Sequence, residues 1–235
     1  MSTDESLPFA RKILAVCAHP DDESFGLGAI ISTLIDQGAS IDLVCLTRGE
    51  ASTLGASLGD LGEARRSELA AAAATLRISA VQQFDHPDGG LSTIDVGLLA
   101  KSIQPLAADS DLLLVFDEGG ITGHPDHIQA TAAAMAVADQ LDLPVLAWTL
   151  SARVADTLNA EFNGCFVGRA DDEIDIHLPV DRQRQWAAMR CHDSQLTANA
   201  VPERRIALTG DVEPLRFLRR APLTRRTTQH LEEST

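Results

Sequence analysis

The stretch KILAVCAHPDDES, residues 12–24, runs directly from a short apolar segment into a polar turn stiffened by proline. Ile13–Ala18 has the length and unbroken apolar character of a strand buried on both faces, bounded by Lys12 and by His19-Pro20. The same alternation continues along the chain. Gly28–Gln37 reads as a helix closed by Gly38, Ile41–Thr47 as a second strand, and Glu63–Leu76 as a helix rich in Ala and Leu. Val81–Asp85, Leu112–Asp117 and Val145–Leu150 read as further strands, with helices expected over Thr93–Ala107 and Asp126–Leu141. Apolar strands alternating with helices predict an α/β fold: a Rossmann-like, predominantly parallel sheet with helices on both faces.

After residue 150 the pattern changes. Phe162–Gly168 and Glu173–Val180 read as two more strands, and Asp181–Thr197 as a helix starting at an Asp cap. Residues 203–226 carry seven Arg against three acids, which reads as a solvated helix face or as internal ion-pair partners. No repeat or low-complexity linker divides the 235 residues. One domain is therefore expected, with residues 12–150 as the α/β core and 151–235 as a strand/helix extension.

With 19 basic and 34 acidic side chains the formal net charge is −15, the opposite of the basic footprint that nucleic acid requires. No apolar run is long enough to cross a bilayer, so no membrane insertion is expected. Cys17, Cys45, Cys165 and Cys191 lack CxxC spacing, and MSTDESLPF lacks the basic and apolar regions of a signal peptide. Both point to reduced cysteines and a cytoplasmic protein.

In a parallel sheet, ligands sit beyond the carboxyl ends of the strands. Four loops follow the first four strands: 18–24, 47–52, 85–90 and 117–127. Together they supply four His, nine acids and one Arg. Imidazole and carboxylate suit a borderline cation such as zinc, and a catalytic site needs three protein ligands and one open position. His19 and Asp22 are three residues apart around Pro20, and His124 and His127 are three apart around Pro125. More groups are present than ligation requires. The surplus suits acid–base work, with Asp21 beside Asp22 placed to act as a base. Gly26 and Gly28 lack the spacing of a dinucleotide or phosphate loop, which removes a nucleotide-binding reading.

The segments AHPDDE (18–23), TRGE (47–50), PDGGL (87–91) and GHPDH (123–127), in this order, resemble the LmbE-like (PIG-L) family of zinc-dependent N-acetylglucosaminyl deacetylases. His192-Asp193-Ser194-Gln195 is similar to the family's H-x-S-Q segment. The resemblance implies that His19, Asp22 and His127 bind one Zn2+, with Fe2+ or another divalent cation as a compatible occupant. It implies Asp21 as general base. His124 would stabilise the oxyanion or protonate the leaving amine, and Asp126 would orient it. Arg48, with Glu50 of the same segment, and His192 are the expected substrate contacts. The chain contains no Tyr, so an oxyanion donor of that kind would have to come from another residue, with His192 a candidate; a histidine that caps or packs a helix is the plainer reading. The implied activity is hydrolysis of a small acetamido-sugar substrate. A related amidase acting on another amide, such as a thiol conjugate, and a non-catalytic sugar-binding module of the same fold remain the alternatives. A homo-oligomer is compatible with the sequence.

Overall fold

The computed structural model of the chain describes residues 10–197 and 199–221. Strands β1 (Lys12–Cys17), β2 (Ser40–Thr47), β3 (Ala80–His86), β4 (Leu112–Phe116) and β5 (Val145–Trp148) are mutually parallel where they pair. Two later strands, β6 (Ile176–Pro179) and β7 (Val212–Arg219), extend the same sheet in the order β3-β2-β1-β4-β5-β7-β6. β7 runs antiparallel to both of its neighbours.

The helices, in chain order, are α1 (Asp22–Phe25), α2 (Gly28–Asp36), α3 (Leu61–Leu76), α4 (Val96–Ala107) and the single turn α5 (Gly120–Gly123), followed by α6 (Pro125–Leu141), α7 (Ala152–Phe162), α8 (Gln183–Met189), α9 (Asp193–Leu196) and α10 (Val201–Thr209). Successive residues of β1 face opposite sides of the sheet. Ile13, Ala15 and Cys17 join Leu27, Leu69, Val154 and Ala188 from α3, α7, α8 and the start of α2, whereas Leu14, Val16 and Ala18 join Leu99, Ile103, Ala130 and Val137 from α4 and α6. The expected α/β class, with a largely parallel sheet covered on both faces, is the observed one.

The region after residue 150 departs from its reading in three places. Residues 163–168 form no strand. The Asn159 side chain satisfies both backbone polar groups of Phe166, accepting from its N–H (2.6 Å) and donating to its C=O (2.9 Å), so this backbone needs no strand partner. Residues 152–162 before it are helical, capped by Ser151 Oγ and buried along Val154, Ala155 and Leu158. The helix expected over Asp181–Thr197 is broken into α8 and α9, because Glu68 of α3 draws the chain inward by accepting from Ser194 N–H (2.9 Å) and Oγ–H (2.7 Å).

The Arg-rich stretch contains α10 and β7. Its guanidiniums pair internally: Arg204 with Glu161, Arg205 with Glu213, Arg216 with Asp117, Arg219 with Asp139 and Asp142. Arg225, Arg226 and the N-terminal MSTDESLPF lie outside the described residues. No helix among the described residues is long and apolar enough to cross a membrane.

Candidate active site

The strand order reverses between β1 and β4, where the carboxyl ends open a crevice. Asp22 shapes the loop after β1. Its Oδ2 accepts from the N–H groups of Ala18 (3.0 Å) and His19 (2.9 Å), leaving Oδ1 to face His127 Nε2 at 3.1 Å. Asp21 sits at φ 115°, in the left-handed region, a strain that persists only where neighbours enforce it. Here its N–H donates to Glu23 Oε2 (3.0 Å), and Arg65 Nη2 donates to its Oδ2 (3.0 Å).

Arg65 comes from α3, with its side chain 4% exposed. It also donates to the carbonyl oxygens of Gly49 (2.7 Å) and Pro20, tying together the loops after β1 and β2. Gly49 is required at this crossing. It has φ 67°, and a Cβ there would lie 2.1 Å from Arg65 Nη1.

From the other side of the crevice, His124 caps α6 and His127 lies in its first turn. His127 Nδ1 donates to Gly120 C=O (3.0 Å), and His19 Nε2 donates to Asp126 (3.3 Å) and Asp88 (3.1 Å). In neutral rings so tied, His19 Nδ1 and His127 Nε2 both carry lone pairs, and these two atoms stand 3.1 Å apart. Facing lone pairs repel unless a proton or a cation lies between them. The Asp22 carboxylate approaches the same two nitrogens at 3.9 and 3.1 Å. Zinc bonds of about 2.0–2.1 Å in a tetrahedron set ligand atoms about 3.4 Å apart, which these spacings bracket. His19, Asp22 and His127 therefore fit a divalent cation, and the carboxylates behind His19 complete the usual outer support. A second grouping, His19, His124 and Asp126, fits less well, because Asp126 already accepts from Gly89 N–H (2.8 Å), Leu91 N–H (3.0 Å) and His19.

The electrostatics follow the same geometry. Burial works against a charged His19, yet hydrogen bonds to Asp126 and Asp88 raise it to about 10, so this point favours positive charge. Burial alone would raise Asp22, but the two facing histidines hold it well below the ordinary carboxylate range. Burial pushes Asp21 up to about 6, against the pull of Arg65. Burial and the nearby His127 and His19 lower His124. Its Nδ1 accepts from Asp126 N–H (3.2 Å), so the neutral ring carries its proton on Nε2.

A cavity of about 410 Å³ opens over this cluster and is lined by His19, Asp21, Asp22, His124 and His127. Three of the expected site residues land elsewhere. Arg48 pairs with Asp85 on the rim (3.4 Å), and Glu50 accepts from Asp88 N–H (3.1 Å), which supports the Asp88 loop; neither lines the cavity. His192 is fully buried behind the site, bonded through Nε2 to Glu23 Oε1 (2.6 Å), and does not line the cavity either. Asp126 meets His124 only through its backbone N–H; its carboxylate serves His19.

Arg65 and Asp88 are site residues that motif reading missed. For Arg65 a signal existed. Leu61, Arg65, Leu69 and Leu76 are all buried on α3, so the Arg interrupts an apolar stripe at helical spacing.

The PIG-L family profile, described as GlcNAc-PI de-N-acetylase, matches residues 14–138. A 1D-myo-inositol 2-acetamido-2-deoxy-alpha-D-glucopyranoside deacetylase of Saccharomonospora viridis is 31% identical, over 79% of this chain and 85% of that one. Among solved structures, N,N'-diacetylchitobiose deacetylase from Pyrococcus horikoshii superposes with TM-score 0.66 at 19% identity, covering 89% of this chain and 84% of that one. A 4-carboxy-2-hydroxymuconate hydratase from Pseudomonas putida superposes with TM-score 0.58 at 20% identity, covering 94% and 99%. The fold thus extends to different chemistry, and the site has to decide the reaction.

Proposed function

The chain belongs to the PIG-L family, and from that premise and the site geometry we propose that it is a divalent-metal-dependent hydrolase that removes the acetyl group from a small acetamido sugar. The observation that carries this reading is the 3.1 Å approach of two ring nitrogens, His19 Nδ1 and His127 Nε2, beside the Asp22 carboxylate, with a second, strained carboxylate alongside. His19, Asp22 and His127 would hold the cation, zinc or iron(II). When bound it supplies Lewis acidity, making water more acidic and a carbonyl more electrophilic.

The remaining steps fall to side chains of this chain. Asp21 takes a proton from the attacking water at Oδ1, the oxygen that Arg65 does not hold. A carboxylate raised to about 6 suits proton transfer near neutral pH. His124, neutral with its proton on Nε2, donates to the acetyl oxygen as negative charge develops there. Of the two roles the resemblance allows, this tautomer favours oxyanion stabilisation. Asp21 then passes its proton to the departing nitrogen, and the products are acetate and a free amine. A sugar-binding module would have no use for an aspartate strained to φ 115° beside a donor cluster, which favours catalysis over the binding alternative. The four cysteines are unpaired, which suits a reducing compartment such as the cytoplasm.

The test is elemental analysis of protein purified without added metal, followed by acetate release from N-acetylglucosaminyl compounds. About one divalent ion per chain, lost together with turnover in Asp22→Asn, is the expected result. A protein that neither carries nor takes up metal would overturn it.

A further inference from the structure

The chain has only seven Phe, two Trp and no Tyr, yet Phe25, Phe116, Trp148 and Phe166 all line the one cavity over the donor cluster. Two of them, Phe116 and Trp148, continue a row that starts at His127. The Phe116 ring meets the His127 ring edge-on at 4.9 Å, and Trp148 meets Phe116 at 4.9 Å. The Arg205 guanidinium stands 5.0 Å over Trp148. Gly26 is what lets this row lie flat against α1, since a Cβ there would come within 2.5–2.8 Å of both rings. Leu150, Ile121, Val201 and Pro202 extend the same apolar surface.

Apart from Arg205 over Trp148, Thr122 beside Ile121 and Asn199 before Val201, the polar groups outside the donor cluster gather at the loops after β2 and β3. Ser52 and Asp88 belong to these loops; Arg65 holds the loop after β2, and Gln195 accepts from Ser52 Oγ (2.8 Å). The cavity therefore has one mainly polar wall and one mainly apolar wall, which meet at the donor cluster. A two-carbon acetyl group makes no use of an apolar wall that extends past Trp148 to Val201 within about 410 Å³.

We propose that the apolar wall is an acyl subsite, and that the preferred substrates carry a medium-chain N-acyl group, of about four to eight carbons, in place of acetyl. The proposal rests on the amide-hydrolase reading. The reacting carbonyl sits at the cluster where the two walls meet. The hydroxylated amine part of the substrate matches the polar wall, so the acyl chain is the part left to lie along Phe116 and Trp148. Burying each further methylene in such a wall strengthens binding by about fourfold at full burial. The bonds made and broken are those of the acetyl reaction, with a longer carboxylate released.

The experiment uses N-acetyl-, N-butanoyl-, N-hexanoyl- and N-octanoylglucosamine with the metal-loaded protein. Free amine is read to give kcat/KM, and affinity is read by calorimetry on the same protein. The expected result is at least a tenfold gain in kcat/KM from acetyl to hexanoyl, with affinity rising in parallel and a negative heat-capacity change on binding. Val201→Phe narrows the wall and is expected to lower the octanoyl-to-acetyl ratio, a comparison made within one protein and independent of its folded fraction. If acetyl is hydrolysed best and affinity is flat or falls with chain length, the acyl subsite is wrong while the hydrolase reading stands. If affinity rises with chain length but no amine is released, the hydrolase reading fails and the apolar site stands. If affinity does not depend on the chain and no amine is released from any of the four, both fail.

Discussion

Arg65→Met tests how the site is held together. The side chain is almost fully buried and donates to three acceptors: the carbonyl oxygens of Gly49 and Pro20 and the carboxylate of Asp21. Methionine fills similar space and removes every donor. Breaking a buried ion pair from one side costs about 3–5 kcal/mol, because the partner charge is left unpaired. For a chain of this size each kcal/mol lowers Tm by about 2–4 °C, so a drop of about 6–20 °C is expected in calorimetry. The pH profile gives a second reading. Burial pushes Asp21 up to about 6, and Arg65 is the largest opposing influence. Without it the carboxyl rises further, less of it is deprotonated at any given pH, and the acid limb of kcat/KM moves to higher pH. Arg65→Lys keeps a charge but loses the fork, and should fall between the two. An Arg65→Met protein that melts within about 1 kcal/mol of the parent and keeps its acid limb would refute both the tether and the tuning.

Three further outcomes follow from the same geometry. His124→Ala should lower kcat by about a hundred- to a thousandfold while metal content is unchanged, since it removes an oxyanion donor and no ligand; loss of metal would move His124 into the ligand set. Glu213→Gln should cost about 3–5 kcal/mol in denaturant melts, because Arg182 and Arg205 share that single buried carboxylate at 2.5 Å each; the Trp148 emission should shift as well, since its Nε1–H bonds the same group at 2.9 Å. Burial alone would raise Asp117, but hydrogen bonds from Arg169 and Gly119 N–H hold it below the ordinary carboxylate value. Its contribution to stability is therefore present above about pH 4 and lost as pH falls through the depressed value, so Asp117→Asn should be less stable than the parent at pH 7, and the gap should close as acid takes the parent below the ordinary carboxylate range in thermal melts.

The parallel half of the fold was legible because each strand is a short apolar run and each helix between them carries an Ala- and Leu-rich face. The loops after β1 and β4 announced the donor cluster through His and Asp at three-residue spacing around proline. Of the antiparallel half only β6 was legible, inside the strand expected over Glu173–Val180; the rest was not, for reasons visible in particular residues. β7 hides Glu213 in the core and carries Pro214 and two ion-paired Arg, so its pattern resembles a charged surface. α7 has a serviceable Ser cap and an apolar stripe, but follows β5 after only Thr149, Leu150 and that cap. Arg48, Glu50 and His192 were expected to touch substrate because they lie in matching segments. A segment fixes where a residue stands in the chain, and only packing decides which way its side chain turns.

β7 occupies the slot between β5 and β6 although it is the last strand of the described chain. During synthesis, β5 leaves the ribosome about seventy residues before the strand that covers its outer edge. At about 5–20 residues per second this delay is roughly 4–14 s. Throughout it, the fully apolar Val145–Trp148 presents unpaired backbone groups, a template for pairing with a neighbouring nascent chain. The loops that carry the donor cluster are all encoded before residue 128, yet the outer edge of β5 is covered only when translation has passed residue 219.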